Sequence, residues 1–278
     1  MTNSVHTNAA AAIALQNLTK TNERLGDVQN RVSTGLKVQG AKDNAAIWAI
    51  AQGQRADIGA LSAVKQSLDR ATSIADVALS AGESVSDLLN QLKEKVVAAK
   101  DQSLKTQSRQ LLDADFKALL RAIKSAVDNA AFDGGNILNG TLTNGIRFLA
   151  NADASAFVTL SGKNLTLGGS IIELSLSDSL LTMTGATTAL NKLDDSITQL
   201  NAALGELGAQ AKQITAHNSF VSKLMDTLES GVGNLVDADL AKESARLQAL
   251  QVQQQLGAQA LSIANSAPQI ILSLFRGG

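Results

Sequence analysis

The residue types here that could move protons or hold a metal ion are few, and their spacing is wrong for either task. There are two histidines, His6 and His217, far apart in sequence and each alone. A metal centre needs several such ligands gathered together. Two carboxylate pairs, Asp194/Asp195 and Asp237/Asp239, could suggest acid–base chemistry. Each is explained more simply as a solvated helix face or a helix cap near a glycine break. "GVGN" at Gly231–Asn234 is a fragment of a phosphate loop without its lysine or a preceding strand. No nucleophile has a base beside it, so the sequence supplies no catalytic residue, metal site or cofactor site, and an enzyme is not expected.

What the sequence does contain is a set of long helical elements. Its single proline, Pro268, lies near the end of 278 residues, leaving the rest free to form very long helices. Hydrophobic residues make up 45%, but aromatics only 3%, so the apolar mass is Ala, Leu, Val and Ile. That composition suits narrow helix–helix seams. The 24 basic and 25 acidic residues are interspersed. No basic face emerges, which argues against nucleic-acid binding. Cysteine is absent, which removes disulfide scaffolds and thiol chemistry and leaves the compartment open. The N-terminal stretch lacks the basic start and unbroken apolar run of a secretory signal, and no stretch reaches a membrane-spanning length. Membrane insertion is not expected.

Apolar residues at 3-4 spacing predict three long helical seams. The first runs Leu61, Val64, Leu68, Ala71, Ala75, Ala78, Gly82, Val85, Leu89, Leu92, Val96, Ala99. The second runs Leu112, Phe116, Leu119, Ile123, Ala126, Ala130. The third begins Leu190, Leu193, Ile197, Leu200, Leu204, Leu207, Ala211, Ile214, Asn218, Val221 and continues through Met225, Leu228, Val232 and Leu235. Their small residues would let a partner approach closely around Ala71–Gly82. Between Phe132 and Thr188, "DGGNILNG", "TNG", "NAD" and "SGKN" read as turns separating short strands such as "IRFLA" and "AFVTL".

The termini carry stripes of their own: Leu15, Leu18, Leu25, Val28, Val32 at one end, and Leu247, Leu250, Leu261, Ile263, Ile270, Leu274 at the other. Chain ends fray unless something docks them. Gly35 and Gly40 predict a non-helical joint around Ser33–Asp43, and Gly231 with Gly233 predict loosening of the C-terminal helix at a similar height. The fold expected is mainly α: a long antiparallel coiled-coil-like bundle with a small β-hairpin region and paired N- and C-terminal helices. Each buried Leu or Ile contributes about 1.5–3 kcal/mol. A handful per subunit would couple ordering of the ends to assembly.

The two ends also resemble a known family. "NRVSTGLKVQGAKDNAAIWAIA" (Asn30–Ala51) resembles the flagellin N-terminal signature. "NLVDADLAKESARLQALQVQQQLGAQALSIANSAPQIILSLFR" resembles the flagellin C-terminus, and "FDGGNILNG" the hairpin after the second long helix. Trp48 and Asn44 fit the alphaproteobacterial branch. The resemblance implies a bacterial flagellar filament subunit, exported through the flagellar type III apparatus with a chaperone. It would polymerise with itself and related flagellins beside hook–filament junction and cap proteins.

By the same resemblance, residues 1–43 and 235–278 would form an inner tube. Residues 44–234 would form an outer tube with hairpins at about 132–188 and no large variable domain. The terminal stripes become the inner-tube interface, Arg31, Gly35, Lys42 and Asp43 the joint, and Leu61, Leu68, Leu89, Leu92, Phe116, Leu193, Leu200, Leu207, Val221 and Leu228 the outer-tube packing. The nearest alternative is a hook–filament junction protein. Those proteins usually carry prolines at the joint, where this chain reads "AKDNAA".

Overall fold

The computed structural model describes residues 8–276, and the side-chain surroundings of residues 8–266. Five helices and two strands follow in order: α1 (Ala9–Thr34), α2 (Ala45–Ala99), α3 (Thr106–Asp128), β1 (Ile146–Leu149), β2 (Phe157–Leu160), α4 (Met183–Val236) and α5 (Leu240–Arg276). The fold is mainly α with one small antiparallel hairpin. The chain forms two compact units: a terminal unit of residues 1–56 with 228–278, and a central unit of residues 57–227. The division falls within α2 and α4, not at the joint before residue 44.

Within the central unit the first seam is buried as spaced. Leu61, Val64, Leu68, Ala71, Ala75, Ala78, Val85, Leu89, Leu92, Val96 and Ala99 all retain 4% exposure or less. Gly82 is buried too, because a Cβ there would collide with the Leu204 side chain. On α4 the fully buried positions recur every seven residues: Leu193, Leu200, Leu207, Ile214, Val221. Their alternates, Leu190, Ile197, Leu204, Ala211 and Asn218, are half-buried. Lys93 pairs with Asp194 at 2.7 Å, and Asn218 Nδ2 donates to Asp69 Oδ1. Residue numbers that rise along α2 meet falling numbers along α4, so the two helices are antiparallel. Leu228, expected among these residues, is half-buried and belongs to the terminal unit.

The α3 seam keeps Phe116, Ile123 and Ala130 as expected but departs by one residue at its alternate positions. Asp113, Phe116, Leu120, Ile123, Val127 and Ala130 are buried, whereas Leu112, Leu119 and Ala126 are half-buried. A carboxylate heads the buried stripe because its oxygens are answered. Asp113 Oδ1 accepts from the Leu180 amide at 2.7 Å, and Oδ2 pairs with Lys117 Nζ at 2.8 Å. Burial opposes ionisation of Asp113, but Lys117, the Leu180 amide and the Ser179 hydroxyl outweigh it and hold its carboxyl below the ordinary 3.8. The turn into α3 is closed by Arg109, whose guanidinium donates to the carbonyls of Ala99 and Asp101. At the far end Asn136 Nδ2 donates to Val127 O, meeting one of the carbonyls a helix terminus leaves free.

Candidate assembly surface

In the terminal unit α1 pairs along its length with the part of α5 from Glu243 to Ala264. Asn8 starts α1 by accepting from the Ala11 amide, and its Nδ2 donates to Ala264 O at 2.7 Å. Gln254 Nε2 donates to Asn22 Oδ1, and Arg31 pairs with Glu243 at 3.5 Å. Rising numbers on α1 again meet falling numbers on α5. Between these contacts Leu25, Val28 and Leu250 are buried, with Val32 and Leu247 packed against them. A Cβ on Gly257 would lie 3.2 Å from Leu18 Cδ1, so the helices close tightly there. Leu18 and Leu261, both half-buried, line a shallow groove beyond it.

Two residues of the terminal stripes lie outside this pairing. Leu15 is 54% exposed and Ile263 is 67% exposed. The reason is angular. At about 100° per residue, Glu243, Leu247, Leu250, Gln254, Gly257 and Leu261 share the face turned to α1. Ile263 falls on the opposite face, with Val252 and Leu256, exposed at 55% and 59%. Exposed Ile13 and Leu15 flank the pairing face of α1. So α5 is apolar on two opposite faces, and α1 covers only one. The sequence reading missed Ile13, Val252 and Leu256. The 4- and 7-residue spacing of Val252, Leu256 and Ile263 was the available signal, masked by glutamines between them. Ile270 and Leu274 lie on α5 outside the described side chains.

The joint is a loop from Gly35 to Asn44. Gly35 takes φ 73°, the left-handed conformation that ends a helix, and its amide donates to Arg31 O. Asn44 begins α2 by accepting from the Ile47 amide. Asp43 Oδ2 accepts from the amides of Gln39 at 2.8 Å and Gly40 at 3.1 Å; these bonds, with help from the Arg31 charge, hold its carboxyl below 3.8. Lys42 is exposed. A second break lies beside the first: Leu36 bridges Asp237, the Lys37 amide donates to Val236 O, and the Ala238 amide donates to Gly35 O. That break is Asp237–Asp239, not the expected Gly231 and Gly233, which remain inside α4. Two glycines cost a helix about 1 kcal/mol each. They do not end it where the Asp239 carboxylate, accepting from the Lys242 amide, caps the next helix.

Among the described residues no group of three or more His, Cys, Asp or Glu could hold a metal ion, and no helix is long and apolar enough to cross a membrane. His217 Nε2 instead meets Ala150 O at 2.8 Å, Asp194 holds Lys93, and Asp237 and Asp239 shape the second break. His6 lies outside the described residues.

Fold and surface together define a class: a helical protein whose two ends pair with each other and still present an uncovered apolar stripe. Comparison with known proteins names it. Residues 5–143 match the bacterial flagellin N-terminal helical region, and residues 190–275 the bacterial flagellin C-terminal helical region. The chain is 53% identical to flagellin FljJ of Caulobacter vibrioides over 277 residues, covering 99% of each. It is 41% identical to a flagellin of Brucella melitensis over 283 residues, again with 99% of each covered. A solved structure of a putative flagellar hook-associated protein from Vibrio parahaemolyticus aligns with a TM-score of 0.55 at 14% identity. That alignment covers 70% of this chain and all of that one, a likeness of fold alone. The chain belongs to the bacterial flagellin family, of the alphaproteobacterial type. It is a structural subunit of the flagellar filament, an exported, self-polymerising protein of bacterial motility.

Proposed function

We propose that α1 and α5 build the inner tube of the filament, residues 1–43 and 235–278, while residues 44–234 build the outer tube. The observation that carries this is the double-faced α5: Val252, Leu256 and Ile263 face away from α1 and stay in water until another subunit covers them. Burying such side chains contributes about 1.5–3 kcal/mol each, enough for a few per subunit to drive addition to a growing end. Ile13 and Leu15, on the two flanks of the α1 pairing face, add exposed apolar surface of their own. Leu25, Val28, Val32, Leu247 and Leu250 hold the pair together within one subunit, and Leu18 and Leu261 border the groove at its edge. Arg31, Gly35, Lys42 and Asp43 form the joint between the tubes. The protein performs no reaction. Its partners are copies of itself, related flagellins, the junction and cap proteins at the filament's two ends, and an export chaperone with the type III apparatus.

Seeded growth tests this. Monomer added to sheared filament seeds should extend them, as seen by electron microscopy, whereas Leu256→Asp with Ile263→Asp should not. The thermal transition of the central unit should be the same in both. Normal filaments from the double variant would overturn the placement of the inner-tube surface. Seeds that gain only a terminal collar from the unaltered chain would point to a junction protein instead.

A further inference from the structure

The α2–α4 seam has a heptad degeneracy that its apolar residues resolve at one level, where Leu204 covers Gly82. Its α2 positions repeat every seven residues from Leu61 to Ala99, and the fully buried α4 positions repeat every seven from Leu193 to Val221. Sliding α4 by one heptad would return most apolar positions to an apolar partner, but would move Leu204 off Gly82 and set it against Ala75 or Leu89. Along Ala71, Ala75 and Ala78 small side chains interdigitate shallowly and resist sliding least, while Leu204 over Gly82 marks the register at one level. Further groups can add to the choice of register.

We infer that a belt of polar contacts at one level of the central unit helps specify this register, with Asn218 as its seam residue. Asn218 sits in the stripe between Ile214 and Val221. Its Nδ2 donates to Asp69 Oδ1 at 2.6 Å, and its Oδ1 is buried without a partner. Beside it His217 Nε2 meets Ala150 O at 2.8 Å, and the Leu149 amide donates to Ser67 Oγ on α2. The belt therefore runs from α2 to the end of β1, to α4, and back to α2.

The hairpin extends the control along the helices. At its other end the Ser161 amide donates to Gln210 Oε1 at 2.8 Å, while the Ile146 and Ile74 side chains both border Gly135. Gln210 to His217 and Ser67 to Ile74 each span seven residues, about 10.5 Å of helix. Ile146 to Leu149 spans three residues, about 10 Å of strand. The hairpin thus matches two helical turns on both neighbours. A one-heptad slide would bring Ala211 or Met225 to the level of Asp69 and leave the Asn218 amide without its acceptor. A polar seam residue with an unmet oxygen lowers stability, and such residues persist where they fix register.

Cysteine trapping on the full-length monomer tests the inference, since the chain has no thiol of its own. Lys93→Cys with Asp194→Cys reports the observed register. Lys93→Cys with Thr187→Cys or with Asn201→Cys reports a slide of one heptad either way. Without further change only the first pair should cross-link. With Asn218→Val or Asp69→Ala added, the slid pairs should cross-link about tenfold more, the scale of losing a hydrogen bond to a charged acceptor. Helical circular dichroism should be retained. If one variant unfolds, the other decides. Native-only cross-linking in the folded variants, or loss of helix in both, would overturn the inference.

Discussion

The central unit and the terminal pair draw on the same few apolar residue types but bury them to different depths. In the central unit Leu68, Leu89, Leu92, Phe116, Leu120 and Leu200 are wholly enclosed. In the terminal pair the most enclosed side chains, Leu25, Val28 and Leu250, keep 4–8% exposure, and Ile13, Val252, Leu256 and Ile263 are more than half exposed. A two-helix contact has an inside only along one line, so the outer faces of both helices remain wet. One region therefore encloses its apolar side chains by itself, while the other leaves several of them in water. This is the local form of marginal stability, with opening energies that vary along one chain.

The contrast can be broken from either side. The largest effect should come from Phe116→Ala, which leaves a cavity at the centre of α3. We expect a loss of about 3–5 kcal/mol in urea unfolding followed by circular dichroism. A loss below about 1 kcal/mol would mean the central unit is no better packed than the ends. Next comes Asp113→Asn, which keeps the shape but weakens the bonds to Lys117 and Leu180, for about 1–3 kcal/mol at pH 7. Its pH dependence has a definite sign. The folded carboxyl titrates below its ordinary value of 3.8. Its stabilisation is thus present above about pH 4 and lost as pH falls through the folded value. The unaltered chain should lose stability between about pH 5 and 2, and the variant should lose less; equal slopes would remove Asp113 from the account. The smallest effect on the main transition should come from Leu250→Ala. There the midpoint should hold, while amide exchange in α1 and α5 of the monomer speeds up about tenfold. A shifted midpoint with unchanged exchange would show that the terminal pair unfolds together with the central unit.

Much of this was legible from residue spacing alone. The α2 seam is buried position by position as its 3-4 rhythm requires, and the joint after Gly35 falls where two glycines interrupt that rhythm. The alternate positions of the α3 seam were misread by one residue for a physical reason. Leu119 and Leu120 both fit a helical stripe, and Asp113 at the head of the true stripe looks like a solvent residue. Only the Leu180 amide, 67 residues along the chain, makes it a buried one. The second break shows the same limit. Gly231 and Gly233 are weak helix formers, yet a cap supplied by Asp239 decides where the helix stops. On α5 the pairing face was legible through Leu247 and Leu250. Ile263, in the same terminal stripe by spacing, lies on the opposite face because a second stripe there shares the heptad period.

That opposite stripe has a consequence for how the polymer ends. A patch that pairs with its own copy is used up once two molecules meet. A stripe that meets a different surface of the next molecule is renewed by each arrival, because the newcomer brings an uncovered stripe of its own. Such a subunit has no built-in stopping point. Length would then be governed by how fast new chains arrive and by whatever occupies the tip, and not by saturation of Val252, Leu256 and Ile263.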